Sequence, residues 1–159
     1  MALRNIRQEG DEILKKKSKK VEQIDDKLKE LIKDMIETMH EYDGLGLAAV
    51  QVGVLKQVVV IDLYEEGKEP YILINPIIIE KSGKQTVDEG CLSYPNKYGR
   101  IERPKKVTVK ALNEQGKEII IKAEDLLAQA ICHELDHLAG EVFIDKIIPG
   151  TLEIIKNNK

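Results

Sequence analysis

The chain has 159 residues, of which 42% are hydrophobic and 33% charged, and its formal net charge is −3. This size and composition predict one soluble globular domain over residues 1–159, large enough to bury a core without disulfide bonds. The near balance of charge, the lack of a long apolar run and the lack of a signal-peptide pattern indicate a cytoplasmic protein that binds neither DNA nor membranes.

The first predicted element is an amphipathic helix between Asp25 and Gly44. Its apolar residues recur at the 3.6-residue period of one helix face: Leu28, Leu31, Ile32, Met35, Ile36 and Met39. Asp25 is expected to cap the N-terminus, and Gly44 is expected to stop the helix. His40 lies near the C-terminal end, where a cation suits the helix dipole, so we interpret it as a structural residue and not as a metal ligand.

Short β-type segments fill the middle of the chain, after a run of small residues at 44–53. Hydrophobic pattern and flanking prolines predict strands at 57–62, 71–80 and about 86–92, followed by a hairpin whose turn is at 113–116.

A second helix is predicted from about 124 to 139, with acidic residues at its start and Gly140 at its end. We then expect a short strand at 142–144 and a short helix within 151–159. This order predicts an α+β fold, in which mixed or antiparallel strands pack around the second helix, with the first helix and a short C-terminal helix outside them.

The predicted central helix carries His133, Glu134 and His137 in the sequence His-Glu-Leu-Asp-His. Residues four apart lie on one helix face, one turn apart, so both imidazoles can reach the same ion. In this pattern the carboxylate handles the proton of an activated water. Because the chain has only three histidines, two of them at this spacing around Glu134 predict a metal-dependent hydrolase.

A catalytic ion of this kind needs a third protein ligand and an open position. No histidine follows His137, which excludes the peptidases whose third ligand is a downstream histidine. Residue types alone leave two candidates: Glu153, as in thermolysin-like peptidases, and Cys91, in a predicted strand end or loop. Cys132 lies within the helix and points away from the two histidines, so we expect it in the core. Both thiols are expected to be reduced.

Three segments together, and in this order, resemble the peptide deformylase family. They read Gly-Leu-Gly-Leu-Ala-Ala-Val-Gln at 44–51, Glu-Gly-Cys-Leu-Ser at 89–93 and His-Glu-Leu-Asp-His at 133–137. The resemblance covers nearly the whole chain. It implies a bacterial enzyme that hydrolyses the formyl group from the N-terminal formylmethionine of newly synthesised proteins and releases formate.

The resemblance also implies a role for each matching residue. It makes Cys91 the third metal ligand and Glu134 the general base and acid. It makes the Gln51 side chain and the Leu92 backbone N–H the donors to the oxyanion. It further implies one divalent ion per chain, Fe²⁺ in the cell, with Zn²⁺, Ni²⁺ or Co²⁺ as replacements in preparations.

The resemblance further implies an apolar pocket for the methionine side chain beside the metal. The candidate substrate-binding residues come from all three regions: Leu45, Gly46, Gly90, Leu126, Gln129 and Ala130. Ordinary core packing stays an alternative for Leu126 and Ala130. N-formylmethionyl nascent peptides are the expected partners. A transient ribosome contact depends on a C-terminal helix, and residues 151–159 are barely long enough to form one.

Overall fold

A computed structural model describes residues 2–155 of the chain. Among these residues there are two α-helices, α1 (Asp26–Glu41) and α2 (Asp125–Leu138). The strands are β1 (Gly46–Ala48), β2 (Val58–Ile61), β3 (Tyr71–Ser82), β4 (Gln85–Cys91), β5 (Tyr94–Arg103), β6 (Lys106–Leu112), β7 (Glu118–Glu124) and β8 (Glu153–Ile154). Short 3-10 helices occupy Glu12–Lys15, Ala49–Val52 and Phe143–Asp145. No helix in this part of the chain has the length and apolar character needed to cross a membrane.

The strands form two antiparallel sheets. The larger sheet has the order β1-β2-β3-β6-β7, and the smaller one has the order β4-β5-β8. Helix α2 contacts strands of both sheets, among them β1, β2 and β5, and so occupies the centre of the fold. This arrangement is α+β, as the order of predicted elements indicates.

Strand β2 shows why the larger sheet needs a helix on each face. Successive side chains of a strand point to opposite faces. Val58 and Val60 pack with the residues of α1, whereas Val59 and Ile61 pack with those of α2. All four are fully buried, which explains why this strand reads as a continuous apolar run and not as an alternating one.

The boundaries of α1 agree with the predicted capping. The Asp25 side chain accepts a hydrogen bond from the Leu28 N–H at 2.9 Å, which satisfies one free donor of the first turn. At the other end, the Gly44 N–H bonds to the Met39 carbonyl at 2.9 Å, just past the last helical residue. The predicted strands at 57–62, 71–80 and 86–92 and the predicted hairpin are also present as β2, β3, β4 and β6–β7.

Strand β5 was not among the predicted elements. Its buried positions include Gly99 and Arg103 next to Ile101, so the buried face does not read as an apolar alternation in the sequence. The strand pairs along nearly its whole length with β4, and this partner stabilises a conformation that its own residue pattern does not indicate.

Two predictions for the C-terminal region are wrong. Phe143–Asp145 forms a 3-10 helix where a strand was expected, because Phe143 turns inward and is 1% exposed. Over 151–155 there is no helix: Glu153–Ile154 pairs with Lys97–Tyr98 at the open edge of β5. Such a short segment cannot bury a helical face, whereas the strand edge supplies backbone partners. Residues 156–159 of the predicted helix lie outside the described residues.

Candidate metal and catalytic site

Three candidate metal ligands meet where β4 ends against α2. The metal-binding atoms of Cys91, His133 and His137 all lie within 4.8 Å of one another, and the Cys91 Sγ is 3.3 Å from His137 Nε2. Glu153, the alternative candidate, is exposed on β8 and is not a member of this group. The geometry therefore brings Cys91, and not Glu153, to the two histidines.

The donors in this group fit a divalent ion such as iron or zinc. His133 Nδ1 is 2.8 Å from Glu89 Oε2, which leaves His133 Nε2 free for an ion, as is usual for metal-bound histidines. One thiolate and two imidazoles are borderline-soft donors that suit iron or zinc better than magnesium. Beside them, the buried Glu134 Oε1 has no hydrogen-bond partner among the described residues. A buried carboxylate oxygen is seldom left without a partner unless it has a functional one.

Burial sets the protonation of the site residues. Burial raises the pKa of Glu134 to about 7, near the value that suits proton transfer at neutral pH. Burial, with the charge of His133 adding to it, lowers the pKa of His137 to about 3, so this imidazole is neutral and can donate its lone pair. Burial also disfavours the charged form of His133, but Glu134, Cys91 and Glu89 outweigh it and raise its pKa. The acidic groups around His133 therefore favour a positive charge on its ring.

A series of charged side chains holds His133 through its Nδ1 atom. The Glu89 carboxylate accepts from His133 and from two nitrogens of Arg103, at 3.1 and 2.5 Å. Arg103 also donates to Asp136 at 2.6 Å, and Asp136 accepts from Lys146 at 3.1 Å. Burial alone would raise the pKa of Glu89, but the bonds from His133 and Arg103 lower it to about 2. The carboxylate is therefore ionised and fixes the orientation of the His133 ring.

Sequence reasoning assigned no role to Glu89, Arg103 or Asp136. Glu89 is the first residue of the motif Glu-Gly-Cys-Leu-Ser, and Asp136 is the fourth residue of the motif His-Glu-Leu-Asp-His. Arg103 carries a signal only once β5 is known, because it is then an arginine at a buried position of a strand, 5% exposed. A buried arginine needs ionic partners, and this need would have pointed to the two carboxylates.

Gln51 faces the metal-ligand group from the 3-10 helix that follows β1. Its Oε1 accepts from the Ala48 N–H at 2.9 Å, which orients the amide group. Its Nε2 then points to Ser93 Oγ at 3.1 Å and to Cys91 Sγ at 3.6 Å. Leu92 and Ser93 form the two-residue turn between Cys91 and Tyr94. The fold thus brings the Gln51 amide to Cys91 and to this turn.

A cleft of about 820 Å³ opens beside these residues. Its lining includes Glu134, Gln51, Cys91 and His133, together with all six predicted substrate-binding residues: Leu45, Gly46, Gly90, Leu126, Gln129 and Ala130.

Core packing was the alternative to pocket lining for Leu126 and Ala130, and the structure differs between the two residues. Ala130 belongs to both the core and the cleft, whereas Leu126 is 46% exposed and belongs to the cleft wall. The Gln129 amide donates to the Asp88 carbonyl at 3.1 Å, so it ties α2 to the end of β4.

At two positions of the cleft, a neighbouring side chain comes too close to the backbone for any residue but glycine. A Cβ on Gly46 would lie 2.7 Å from Glu134 Oε2, and a Cβ on Gly90 would lie 2.7 Å from the Tyr98 ring. Real Cβ atoms do not approach other heavy atoms so closely, so a larger residue at either position would displace its neighbour. Gly46 thus lets β1 run directly past the Glu134 carboxylate.

The chain is similar to known proteins over most of its length. Residues 3–152 match the family model described as polypeptide deformylase. The chain is 60% identical over 147 residues to peptide deformylase 1 of Clostridium acetobutylicum, covering 92% of this chain and 96% of that protein. It is 54% identical over 146 residues to the peptide deformylase of Clostridium botulinum, with 92% and 97% covered.

Solved structures agree as well. The peptide deformylase of Legionella pneumophila superposes with a TM-score of 0.90 at 44% identity, covering 93% of this chain and 88% of that one. The Synechococcus elongatus peptide deformylase, solved in complex with actinonin, gives a TM-score of 0.88 at 42% identity, covering 91% and 80%. Family model, relatives and structures all extend over more than nine-tenths of the chain, which therefore belongs to the polypeptide deformylase family of enzymes.

Proposed function

We propose that this chain, acting as one catalytic domain over residues 1–159, hydrolyses the N-formyl group from the N-terminal formylmethionine of newly synthesised proteins and releases formate. The observation that carries the proposal is the cluster of Cys91, His133 and His137 within 4.8 Å, with Glu134 and Gln51 at the same cleft. Family membership gives the reaction class, and the cluster supplies residues for each step.

The Cys91 Sγ, His133 Nε2 and one nitrogen of His137 would hold one divalent ion. When bound, such an ion supplies Lewis acidity, which makes hydroxide available as a nucleophile near neutral pH. The ion in the cell is proposed to be Fe²⁺, with Zn²⁺, Ni²⁺ or Co²⁺ able to replace it, since the soft thiolate and the imidazoles accept all four. Three protein ligands leave a position open for water and substrate.

Glu134 is proposed to move the protons of the reaction. A carboxylate with a pKa of about 7 can accept a proton from the attacking water and return it to the departing amine without a large penalty in either direction. Its Oε1 has no partner within the described part of the chain, so this oxygen is free for the task.

Gln51 and Leu92 are proposed to stabilise the oxyanion that forms when water attacks the formyl carbon. The Gln51 Nε2 is a donor held by the bond between its Oε1 and the Ala48 N–H, and it needs little reorganisation to meet a developing charge. The Leu92 backbone N–H follows Cys91 directly and is proposed as the second donor. Removing one such donor from a protease costs about 3–4 kcal/mol of transition-state stabilisation.

The peptide is proposed to bind along β1, which is an edge strand of the larger sheet. The Leu45 carbonyl accepts from the Asp62 N–H at 2.9 Å, so the backbone of Leu45 faces β2. Alternation along the strand directs the N–H and C=O of Gly46 to the opposite side, where an extended peptide can pair with them. The methionine side chain would then lie against Leu126 and Ala130, and Gly90 and Gln129 would border it.

The location and partners follow from this substrate. Nascent formylated peptides are made in the bacterial cytoplasm, so we propose that the enzyme works there, on N-formylmethionyl chains. We do not extend the proposal to a transient ribosome contact, because residues 153–154 pair with β5 instead of forming a docking helix.

Formate release from formyl-Met-Ala-Ser by the ferrous protein, prepared without oxygen, tests the proposal. We expect turnover by the wild type and a loss of about 100- to 10,000-fold in kcat for Glu134→Gln, which removes the proton acceptor. Absence of formate from protein with a full complement of ferrous ion would refute the proposed reaction.

A matched pair of cysteine variants tests the ligand set. Cys91→Ser should lower the bound metal strongly, whereas Cys132→Ala, one residue before His133 but packed in the core, should keep it. Metal content measured by atomic absorption after dialysis separates the two. Retention of metal by Cys91→Ser would contradict the proposed ligand set.

A further inference from the structure

The segment Gly44–Gly46 forms one wall of the cleft, yet it is a loop entering a three-residue strand. Such a short edge strand has few bonds of its own to hold it in place. On its side away from the cleft lie three residues outside the catalytic group: His40 from α1, and Asp62 and Tyr64 from the segment that follows β2.

Tyr64 and Asp62 bond to the segment, and His40 bonds to Asp62. The Tyr64 hydroxyl donates to the Gly44 carbonyl at 2.6 Å, and the Asp62 N–H donates to the Leu45 carbonyl at 2.9 Å. Asp62 uses both carboxylate oxygens, one toward His40 Nε2 at 2.7 Å and one toward the Tyr64 N–H at 2.8 Å. The rings of His40 and Tyr64 are 5.6 Å apart. The consecutive carbonyls of Gly44 and Leu45 are therefore both hydrogen-bonded on the side away from the cleft.

The backbone of Tyr64 adopts a costly conformation to make this contact. Its φ is +56°, in the left-handed region that bulky residues seldom occupy. Tyr64 is also 49% exposed, so core packing does not explain the conformation. Strained residues of this kind persist where surrounding contacts over-determine them, and they cluster at binding sites. Here the contacts are the bond from its N–H to Asp62 and the bond from its hydroxyl to Gly44.

The held carbonyls determine where the free backbone groups of Gly46 point. With the Leu45 carbonyl fixed toward Asp62, the N–H and C=O of Gly46 face the cleft. Movement of the wall would shift these groups relative to Glu134, which a Cβ at Gly46 would already touch. Burial and the charges of Asp62 and Asp43 raise the pKa of Tyr64, so its hydroxyl stays a donor at neutral pH.

We propose that His40, Asp62 and Tyr64 form a brace that positions the Gly44–Gly46 wall for pairing with the extended peptide substrate. The inference rests on the proposed function for its substrate. The three are positioning residues: Tyr64 and Asp62 bond to the wall, His40 bonds to Asp62, and their bonds do not involve the metal-ligand group, Glu134 or Gln51. The brace is expected to govern peptide binding, and the proton transfer at Glu134 is expected to proceed without it.

The variant Tyr64→Phe tests the brace because it removes only the hydroxyl that bonds to Gly44. We expect KM for formyl-Met-Ala-Ser to rise about three- to tenfold, the effect of one lost hydrogen bond, while kcat stays within about twofold. Asp62→Asn, which weakens the bond to His40, should change KM in the same direction. Tyr71→Phe is the matched control, since it removes a tyrosine hydroxyl from β3, on the other side of β2, and should leave KM unchanged.

Amide hydrogen exchange measures the wall itself, whatever the substrate. In Tyr64→Phe the Asp62 amide, bonded to the Leu45 carbonyl, should exchange faster than in the wild type and in Tyr71→Phe. Unchanged exchange would overturn the brace, and faster exchange with an unchanged KM would overturn its role in binding. If the wild type releases no formate, the proposed function fails, and the exchange rates still decide whether the brace holds the wall.

Discussion

Replacing Glu89 with Gln tests how the site is held together. Glu89 is 5% exposed, and among the described residues it joins Arg103 to His133, a proposed metal ligand. The substitution keeps the shape of the side chain but removes its charge. We expect it to lower both the stability of the fold and the affinity for the metal, because the same carboxylate serves both.

The size of the stability loss depends on the bonds that Arg103 keeps in the variant. Breaking a buried ion pair by removing one partner costs about 3–5 kcal/mol, because the other charge stays buried. Arg103 keeps its bond to Asp136 at 2.6 Å, and the amide oxygen of Gln can still accept one bond. We therefore expect a loss at the lower end, about 3 kcal/mol in the free energy of unfolding. Loss of the partner of a metal-bound histidine lowers metal affinity about 10- to 100-fold.

Urea denaturation of the metal-free protein gives the first quantity, and competition with a chelator gives the second. The control is Asp88→Asn, at the position directly before Glu89, whose side chain is 80% exposed. It should change neither measurement. A stability loss in Glu89→Gln below about 1 kcal/mol, together with unchanged metal affinity, would refute the argument that this carboxylate is a buried, shared partner.

Two further predictions concern pH and close packing. The folded-state pKa of Glu89 is about 2 and its ordinary value is 4.5, so its contribution to stability is complete above pH 4.5 and is lost as the pH falls through 2. The stability difference between the metal-free wild type and Glu89→Gln, measured in urea, should therefore shrink between these values; a constant difference would contradict the assignment. Gly46→Ala places a Cβ 2.7 Å from Glu134 Oε2 and should lower kcat/KM about 100-fold by displacing the carboxylate, with bound metal unchanged. Wild-type activity in this variant would show that Glu134 can move away freely.

The sequence predicted those parts of the site that lie within one element. His133, Glu134 and His137 occupy one helix face because the helical period alone brings them together. The Asp25 cap and the ends of both helices were predicted for the same reason, since capping depends on neighbouring residues. The strand at 57–62 was predicted from its β-type residues, and the structure shows it as β2, buried on both faces.

Contacts between distant residues needed the tertiary structure. Cys91 and His137 are 46 positions apart, and Glu89 and His133 are 44 apart, so no local period relates them. Residue types left Cys91 and Glu153 open as third ligands, and the resemblance implied Cys91. The tertiary structure brings the Cys91 thiol to the two histidines and leaves Glu153 exposed on β8.

The sequence by itself therefore determined the chemistry available to this protein: two imidazoles, a carboxylate between them and the helix that carries all three. The tertiary structure decided which groups lie beside these side chains and along the cleft, namely the thiol at the end of β4, the Arg103–Glu89 pair bonded to His133, and the Tyr64 hydroxyl bonded to Gly44. The physical reason is the distance along the chain over which each effect acts. Helical period and capping act within a few residues, whereas metal ligation, buried ion pairs and strand pairing depend on which distant segments the packed core brings together.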